Sequence, residues 1–405
     1  MKRWRWQRRA LLASVVALLA GTGATAQPGY GKTDASGASE SHAIKVGIVY
    51  SRSGLLSNYG AMYAQGVRLG LEYATKGTMR VNGHRIQLTL VDDATDPAKA
   101  VSAAKDLIGQ GYKIIAGSTS SGAGLAVAPL AEQNKVLFIA GAAATDALTG
   151  VNRYTFRAGR QTIQDVMCAR TLFSNSEIGK KVVTFAQDSA FGQSIAAGVA
   201  SVFGGRGHSV SRILVPLSAT DFTPFAAQLK SSNADLAYIA WAGTTATAMY
   251  TAIQQQNVQA NTKVVTGIAE RATWNLFGQA LQGLDLVSLY FPEASKSSVN
   301  TWLRAKMRKK GQAPDIFTPD GFVTAQMIVR AIQKGGENVD RQIGALEGYQ
   351  FVSPKGVQRI RQADHAMLQP VYIARLVRVG ATYRPRLVKT CSPGNLQPPV
   401  KQFPG

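Results

Sequence analysis

From residue 44 onward, short β-branched apolar runs alternate with stretches whose apolar residues recur at helical spacing, and few architectures accept that alternation. IKVGIVY (44–50) reads as a buried strand, and Tyr63, Val67, Gly70, Leu71 and Ala74 then share one helical face. IQLTLVDD (86–93) is the next strand, and Asp96-Pro97 opens a helix, with Asp96 at the N-cap and Pro97 in the first helical position. KIIAGS, a helix over 122–133 and VLFIAG (136–141) continue the series. A second series begins after Tyr154: KVVTFAQ, VSRILVP, LAYIAWAG, KVVTG and LVSLYFP, separated by helical stretches such as 222–231 and 244–256. Strands alternating with helices imply βαβ units and parallel sheets. Two such series imply two doubly wound, Rossmann-like lobes. An eight-unit barrel is the structural rival, and the break in rhythm over 153–175 argues against it.

With 405 residues, 45% of them hydrophobic, the chain can fill more than one core. The net charge is +22. Lys2, Arg3, Arg5, Arg8 and Arg9 lie in a cationic start, followed by an apolar run from Ala10 to Leu19 and the small-residue site Ala24-Thr25-Ala26. Residues 1–26 therefore read as a secretory signal peptide cleaved after Ala26; subtracting its five cations from +22 leaves +17. Residues 27–43 read as a flexible Gly/Ser/Ala-rich leader. Export places Cys168 and Cys391 in an oxidising compartment, where they either pair or remain one buried thiol and one tail thiol; spacing alone does not decide.

The familiar catalytic signatures are missing: no G-x-G-x-x-G follows a strand, and there is no P-loop and no G-x-S-x-G elbow. His42, His84, His208 and His365 are scattered without metal-ligand spacing. Asp92, Asp93 and Asp96 are the one tight acid cluster, and strand-end and N-cap chemistry accounts for them better than acid–base catalysis. The basic run 304–310 before Gly311 fits a helix C-terminus better than a nucleic-acid patch. No cofactor is expected.

In open α/β sheets, ligands bind beyond the carboxyl ends of strands. Two adjacent strand ends carry small and hydroxyl-bearing residues. One is Gly117 to Gly122, with Ser120 and Ser121. The other is Gly141 to Asp146, with Ala142, Ala143 and Thr145. Hydroxyls and free N–H groups at a helix start suit a carboxylate. Tyr59, Phe191 and Trp241 stand at other strand ends and together could wall a small ligand.

The ordered stretches GIVYSRSGLLSNYG (47–60), LVDDATDPAKAV (90–101), IIAGSTSSGAGLAVAPLAEQNKVLFIAGAAATDAL (114–148), YTFRAG (154–159), TFAQDSAFGQS (184–194), DFTPFAAQLKSSNADLAYIAWAG (221–243) and LEGYQFVSPKGVQRIRQADHAMLQPVYIARL (346–376) resemble the type I periplasmic solute-binding proteins of ABC transporters, in the branched-chain amino acid (Leu/Ile/Val) receptor group. The resemblance runs from about Ile44 to Val388. It implies two α/β lobes joined by three hinge crossovers. The lobes comprise 44–160 with 293–352, and 161–292 with 353–390, before a tail over 391–405. It also implies a non-catalytic monomer in the periplasm that closes over a small solute and hands it to an inner-membrane permease, with no nucleic-acid partner. Ser121 matches the serine that holds the ligand carboxylate, Ala142 and Thr145 match the following loop, and Tyr59, Phe191 and Trp241 match aromatic walls. The carboxylate that pairs with a ligand ammonium falls in the loop Gly267-Ile-Ala269-Glu270-Arg271, where either Glu270 or Ala269 occupies the position. Thr95 stands where enteric members carry a cysteine. The ligand is then an apolar amino acid if Glu270 faces the cleft, and an aromatic or aliphatic carboxylate if it does not. A ligand sensor of the same fold and an exported hydrolase are the alternatives.

Overall fold

A computed structural model describes residues 43–173 and 178–404; the expected signal peptide and most of the leader lie outside them. The first lobe is built from β1 (Ile44–Tyr50), β2 (Arg80–Val81), β3 (His84–Asp92), β4 (Ile114–Gly117), β5 (Leu137–Ala140) and β6 (Thr155–Arg157). They form one sheet in the order β2-β3-β1-β4-β5-β6, parallel except for the β2–β3 hairpin. Helices α1 (Ser57–Ala74), α2 (Pro97–Gly109) and α3 (Ser121–Gln133) connect the strands. Alternation along the strands feeds two cores. Val46, Ile48, Ile114 and Ala116 face one, while Val49 and Ile115 face Leu107, Val127 and the other α2–α3 residues.

The chain crosses at 158–161 into the second lobe. There α4 (Thr162–Arg170), α5 (Ala190–Val199), α6 (Thr223–Ser231), α7 (Ala246–Gln255) and α8 (Trp274–Ala280) surround β7 (Lys181–Gln187), β8 (Ser209–Val215), β9 (Leu236–Ala240), β10 (Lys263–Thr266) and β11 (Asp285–Ser288). The parallel sheet runs β10-β9-β7-β8, and a Gly267–Val287 bridge extends it to β11. The described part of the break in rhythm, 153–173, is thus the first hinge crossing: a three-residue strand followed by a helix that serves the other lobe.

A second crossing over 289–297 returns to the first lobe, which gains α9 (Ser298–Arg308), α10 (Thr318–Gly335) and α11 (Val339–Leu346). Helix α10 lies directly on α1. Gly66 faces the Thr318 carbonyl and Gly321 the Tyr63 carbonyl so closely that a Cβ at either would stand 2.0 Å from the oxygen. Strands β12 (Gln350–Ser353), β13 (Gly356–Ile360) and β14 (Met367–Leu368) form a small antiparallel sheet whose Phe351, Ile360 and Met367 sit in the first-lobe core. The chain therefore leaves the first lobe after Leu368, not at residue 353 as the sequence suggests, because the β12–β13 hairpin is held by cross-strand pairing. Strands β15 (Val371–Val379) and β16 (Thr382–Cys391) then add antiparallel to β11.

Cys168 and Cys391 form a disulfide within the second lobe, across 223 residues of chain. Beyond Cys391 the tail turns back to the first lobe. Arg361 Nη1 donates to the Pro398 carbonyl at 2.7 Å, the Lys401 amide to Asp364 at 3.1 Å, and the Phe403 ring lies 4.7 Å from that of His365. Among the described residues, no helix is long and apolar enough to cross a membrane.

Candidate functional site

Both sheets reverse strand order at their first strand: β1 sits between β3 and β4, and β7 between β8 and β9. A ligand crevice opens at the carboxyl edge of such a reversal. The two crevices face each other and enclose a cavity of about 120 Å³. Tyr59, Ser121 and Ala142 line it from the first lobe, Phe191 and Trp241 from the second.

The turn between β4 and α3 is assembled in layers. Gly117 has φ +110° and no room for a Cβ, which would stand 1.7 Å from the Val49 carbonyl. Asp93 is fully buried; its Oδ1 accepts the Thr95 amide at 2.8 Å and its Oδ2 accepts the Ser118 hydroxyl, which pins the turn to the end of β3. Ser120 caps α3 by accepting the Ala123 amide at 3.3 Å. Ser121, the first helical residue, accepts the amides of both Ala144 and Thr145 at 3.2 Å. A hydroxyl has two acceptor sites and one proton. With both acceptor sites filled by amides, Ser121 presents its O–H to the cavity as a donor, at the positive end of a helix.

Arg157 holds the neighbouring loop. Its guanidinium is wholly buried and donates to the carbonyls of Ala143, Ala144, Thr145, Gly159 and Arg160 and to Thr149 Oγ1. Burial lowers its pKa to about 10. The side chain thus joins the 143–145 loop to the first hinge crossing.

The expected residues divide accordingly. Tyr59, Ser121, Ala142, Phe191 and Trp241 converge on the cavity. Ser120 acts as a helix cap, and Ala143 is buried in the core on the far face of the first-lobe sheet. The Thr145 hydroxyl accepts the Ala147 amide at 3.4 Å and borders an outer groove with Ser194 and Lys401. Ala269 lines the cavity, while Glu270 lies behind it. Glu270 is buried and hydrogen-bonded by the Tyr59 hydroxyl, with Oε2 unpartnered. Burial first, and the nearby Asp315 charge after it, push its pKa up.

The mouth is shut by direct contacts between lobes. The Gly243 amide donates to the Tyr59 hydroxyl at 3.3 Å, the Thr244 amide to the Leu55 carbonyl at 3.2 Å, and the Arg271 amide to Asp315 at 2.9 Å. Trp241 is fixed by its Nε1 bond to Thr245 at 3.0 Å and by Phe185 and Phe222 rings at 5.7 and 5.3 Å. Phe317, 4.6 Å from the Tyr59 ring, completes the first-lobe wall.

Sequence reasoning missed Arg160, Asp165, Tyr238 and Phe317, which also line the cavity. Arg160 follows directly on the YTFRAG stretch and could have been flagged as a cation at a strand end. Tyr238 lies inside a strand and Phe317 in a connection, and neither carries a local signal. Among the described residues, no three His, Cys, Asp or Glu side chains are grouped to hold a metal.

Comparison with known proteins agrees with this geometry. Residues 43–381 match the family described as periplasmic binding protein. Leu/Ile/Val-binding protein homolog 3 of Brucella melitensis is 24% identical over 300 residues, covering 73% of this chain and 80% of that protein. The solved structure of an ABC-type branched-chain amino acid transporter from Rhodopseudomonas palustris is 29% identical, with TM-score 0.74 over 89% of this chain and all of the other. A second from that species, a solute-binding protein of an ABC transporter in complex with 3,4-dihydroxybenzoic acid, is 25% identical with TM-score 0.77, covering 89% of this chain and 98% of that one.

Proposed function

Because this chain belongs to the periplasmic binding protein family, we propose that it is the receptor of an ABC importer and that its cleft captures a small apolar carboxylate, an aromatic acid in the first instance. The observation that carries this reading is the cavity wall. Ser121 offers a hydroxyl donor, most of the surrounding residues are aromatic or aliphatic, and in the 267–271 loop, where the resemblance puts an ammonium-binding carboxylate, the residue that lines the wall is Ala269. A ligand ammonium there would meet a methyl group, whereas an acid without an amine brings no cation that needs a partner at that wall. The relative solved with 3,4-dihydroxybenzoic acid supports the same class.

In this reading the acid group docks on the first lobe, and the second lobe brings Phe191 and Trp241 over the ring. The contacts from Gly243 and Thr244 to Tyr59 and Leu55 belong to the closed form, which the permease selects. The receptor acts as a monomer in the periplasm after cleavage at Ala26.

One observation favours a second reading, an apolar amino acid. Glu270 Oε2 is buried without a partner beside Tyr59, and a small turn of the 267–271 loop would offer it to an ammonium. Thermal shift and calorimetry with benzoate and leucine separate the two. Stabilisation by benzoate and not by leucine is the expected result; stabilisation by leucine alone overturns it in favour of the Glu270 reading.

A further inference from the structure

The floor of the cavity holds two donors that the proposed grip on a carboxylate does not use. Arg160 is 5% exposed and stands on the first hinge crossing. Its hydrogen bonds to the protein run from Nε alone, at 3.0 and 3.3 Å to the two oxygens of Asp165, itself buried. The four N–H groups on Nη1 and Nη2 meet no acceptor among the described residues. A purely structural pair would use the guanidinium fork side-on, with Nη as well as Nε engaged. Here the carboxylate sits on Nε and leaves the outer edge to the cavity that Arg160 lines. Tyr238 lines the same cavity from β9 in the second lobe; it is 3% exposed and its hydroxyl makes no hydrogen bond among the described residues. Burial raises its pKa well above the usual phenol range, so the hydroxyl keeps its proton and stays a donor. The side chains are buried, yet the hydroxyl and the outer guanidinium edge are open to the cavity and engaged by no protein acceptor among the described residues, so their donors are left for whatever occupies the cavity.

Resting on the reading of the cleft as an acid site, we propose that Arg160 and Tyr238 form a second polar subsite, which receives an acceptor oxygen at the end of the ligand distal to its carboxylate. Asp165 is a positioning residue that aims the guanidinium. The preferred ligand is then an aromatic acid carrying a second oxygen function, a hydroxyl or another carboxylate, and plain benzoate is a partial fit.

Calorimetry on the full mature protein with benzoate, 4-hydroxybenzoate and terephthalate tests this, using Tyr238→Phe and Arg160→Lys. The unaltered protein should bind at least one of the two doubly substituted acids more than tenfold tighter than benzoate. Tyr238→Phe should bring that ratio down about fivefold or more without lowering the Tm of the ligand-free protein, since no protein hydrogen bond is removed. Arg160→Lys, which keeps the charge beside Asp165 but loses the fork, should narrow the same ratio, and which acid loses more tells a hydroxyl from a carboxylate. A ratio untouched by Tyr238→Phe, or equal losses for all three acids, overturns the subsite while leaving the acid reading intact. If the unaltered protein binds none of the three, the acid reading itself fails, and the subsite with it.

Discussion

Ser121 shows how one hydroxyl can be committed before a ligand arrives. Its two accepted amide bonds fix the oxygen and direct the proton. Ser121→Ala should weaken binding of an acid by about 1–3 kcal/mol, the cost of leaving a charged acceptor unpaired. Titration calorimetry reads this directly, and an unchanged affinity would place the carboxylate elsewhere. Glu270 gives a prediction of the opposite sign. Its folded pKa is raised above its unfolded value, so the buried charge costs stability once pH rises through that range. Glu270→Gln removes the charge and should raise the Tm of the ligand-free protein at neutral pH, with little change below about pH 4. A lower Tm at neutral pH would mean the carboxylate has a partner that stabilises it.

At the scale of elements, the α1–α10 contact depends on glycine backbones lying against carbonyls. Gly321→Ala would drive a methyl into the Tyr63 carbonyl, and the helices would have to separate. A loss of roughly 1–3 kcal/mol in urea unfolding is expected; neutrality would show that the pair slides freely. The elements themselves were largely legible where the signal was local. The N-cap at Asp96 is real, with the Lys99 amide donating to it at 2.9 Å. The basic run ends α9, with Gly311 at φ +67° just beyond. The acid cluster does turn work: Asp92 accepts three amides and the Ser53 hydroxyl, which with little burial hold its pKa down to about 2. What periodicity did not reveal is the stretch from residue 350 to residue 391. Strands β12–β16 are short or half-exposed; they pair antiparallel with their neighbours in sequence, and β15 takes its place from β11, far earlier in the chain. For the same reason Ser121 was legible as a strand-end hydroxyl, while Tyr238 was not, because only the closed cavity distinguishes it from core.

Across the whole molecule, a disulfide inside the second lobe and a tail fastened to the first add to the hinge crossings. The disulfide closes a loop of 223 residues, and Cys168→Ser with Cys391→Ser should cost about 2–4 kcal/mol of stability by thermal or denaturant unfolding. An unchanged Tm would show that the unfolded chain is not expanded by losing the link. The first-lobe surface under the tail also carries a pH response. His365 is buried, stacked at 3.6 Å on Phe156, with Nδ1 3.0 Å from the Thr155 carbonyl. Burial first lowers its pKa below the ordinary imidazole value. A depressed folded pKa means that the unfolded chain takes up the proton first, so stability present above about pH 6.5 is lost as the pH falls. Tm measured from pH 7.5 to 5 should decline, and more steeply than in His365→Gln; identical slopes would assign the decline to other groups. Because the last residues leave the second lobe and fasten onto Asp364, Arg361 and His365 in the first, the chain end and its covalent root travel with different bodies. Anyone building an optical biosensor from this receptor should therefore expect a fluorophore at residue 404 to report the motion of the opposite half from the one that its connectivity suggests.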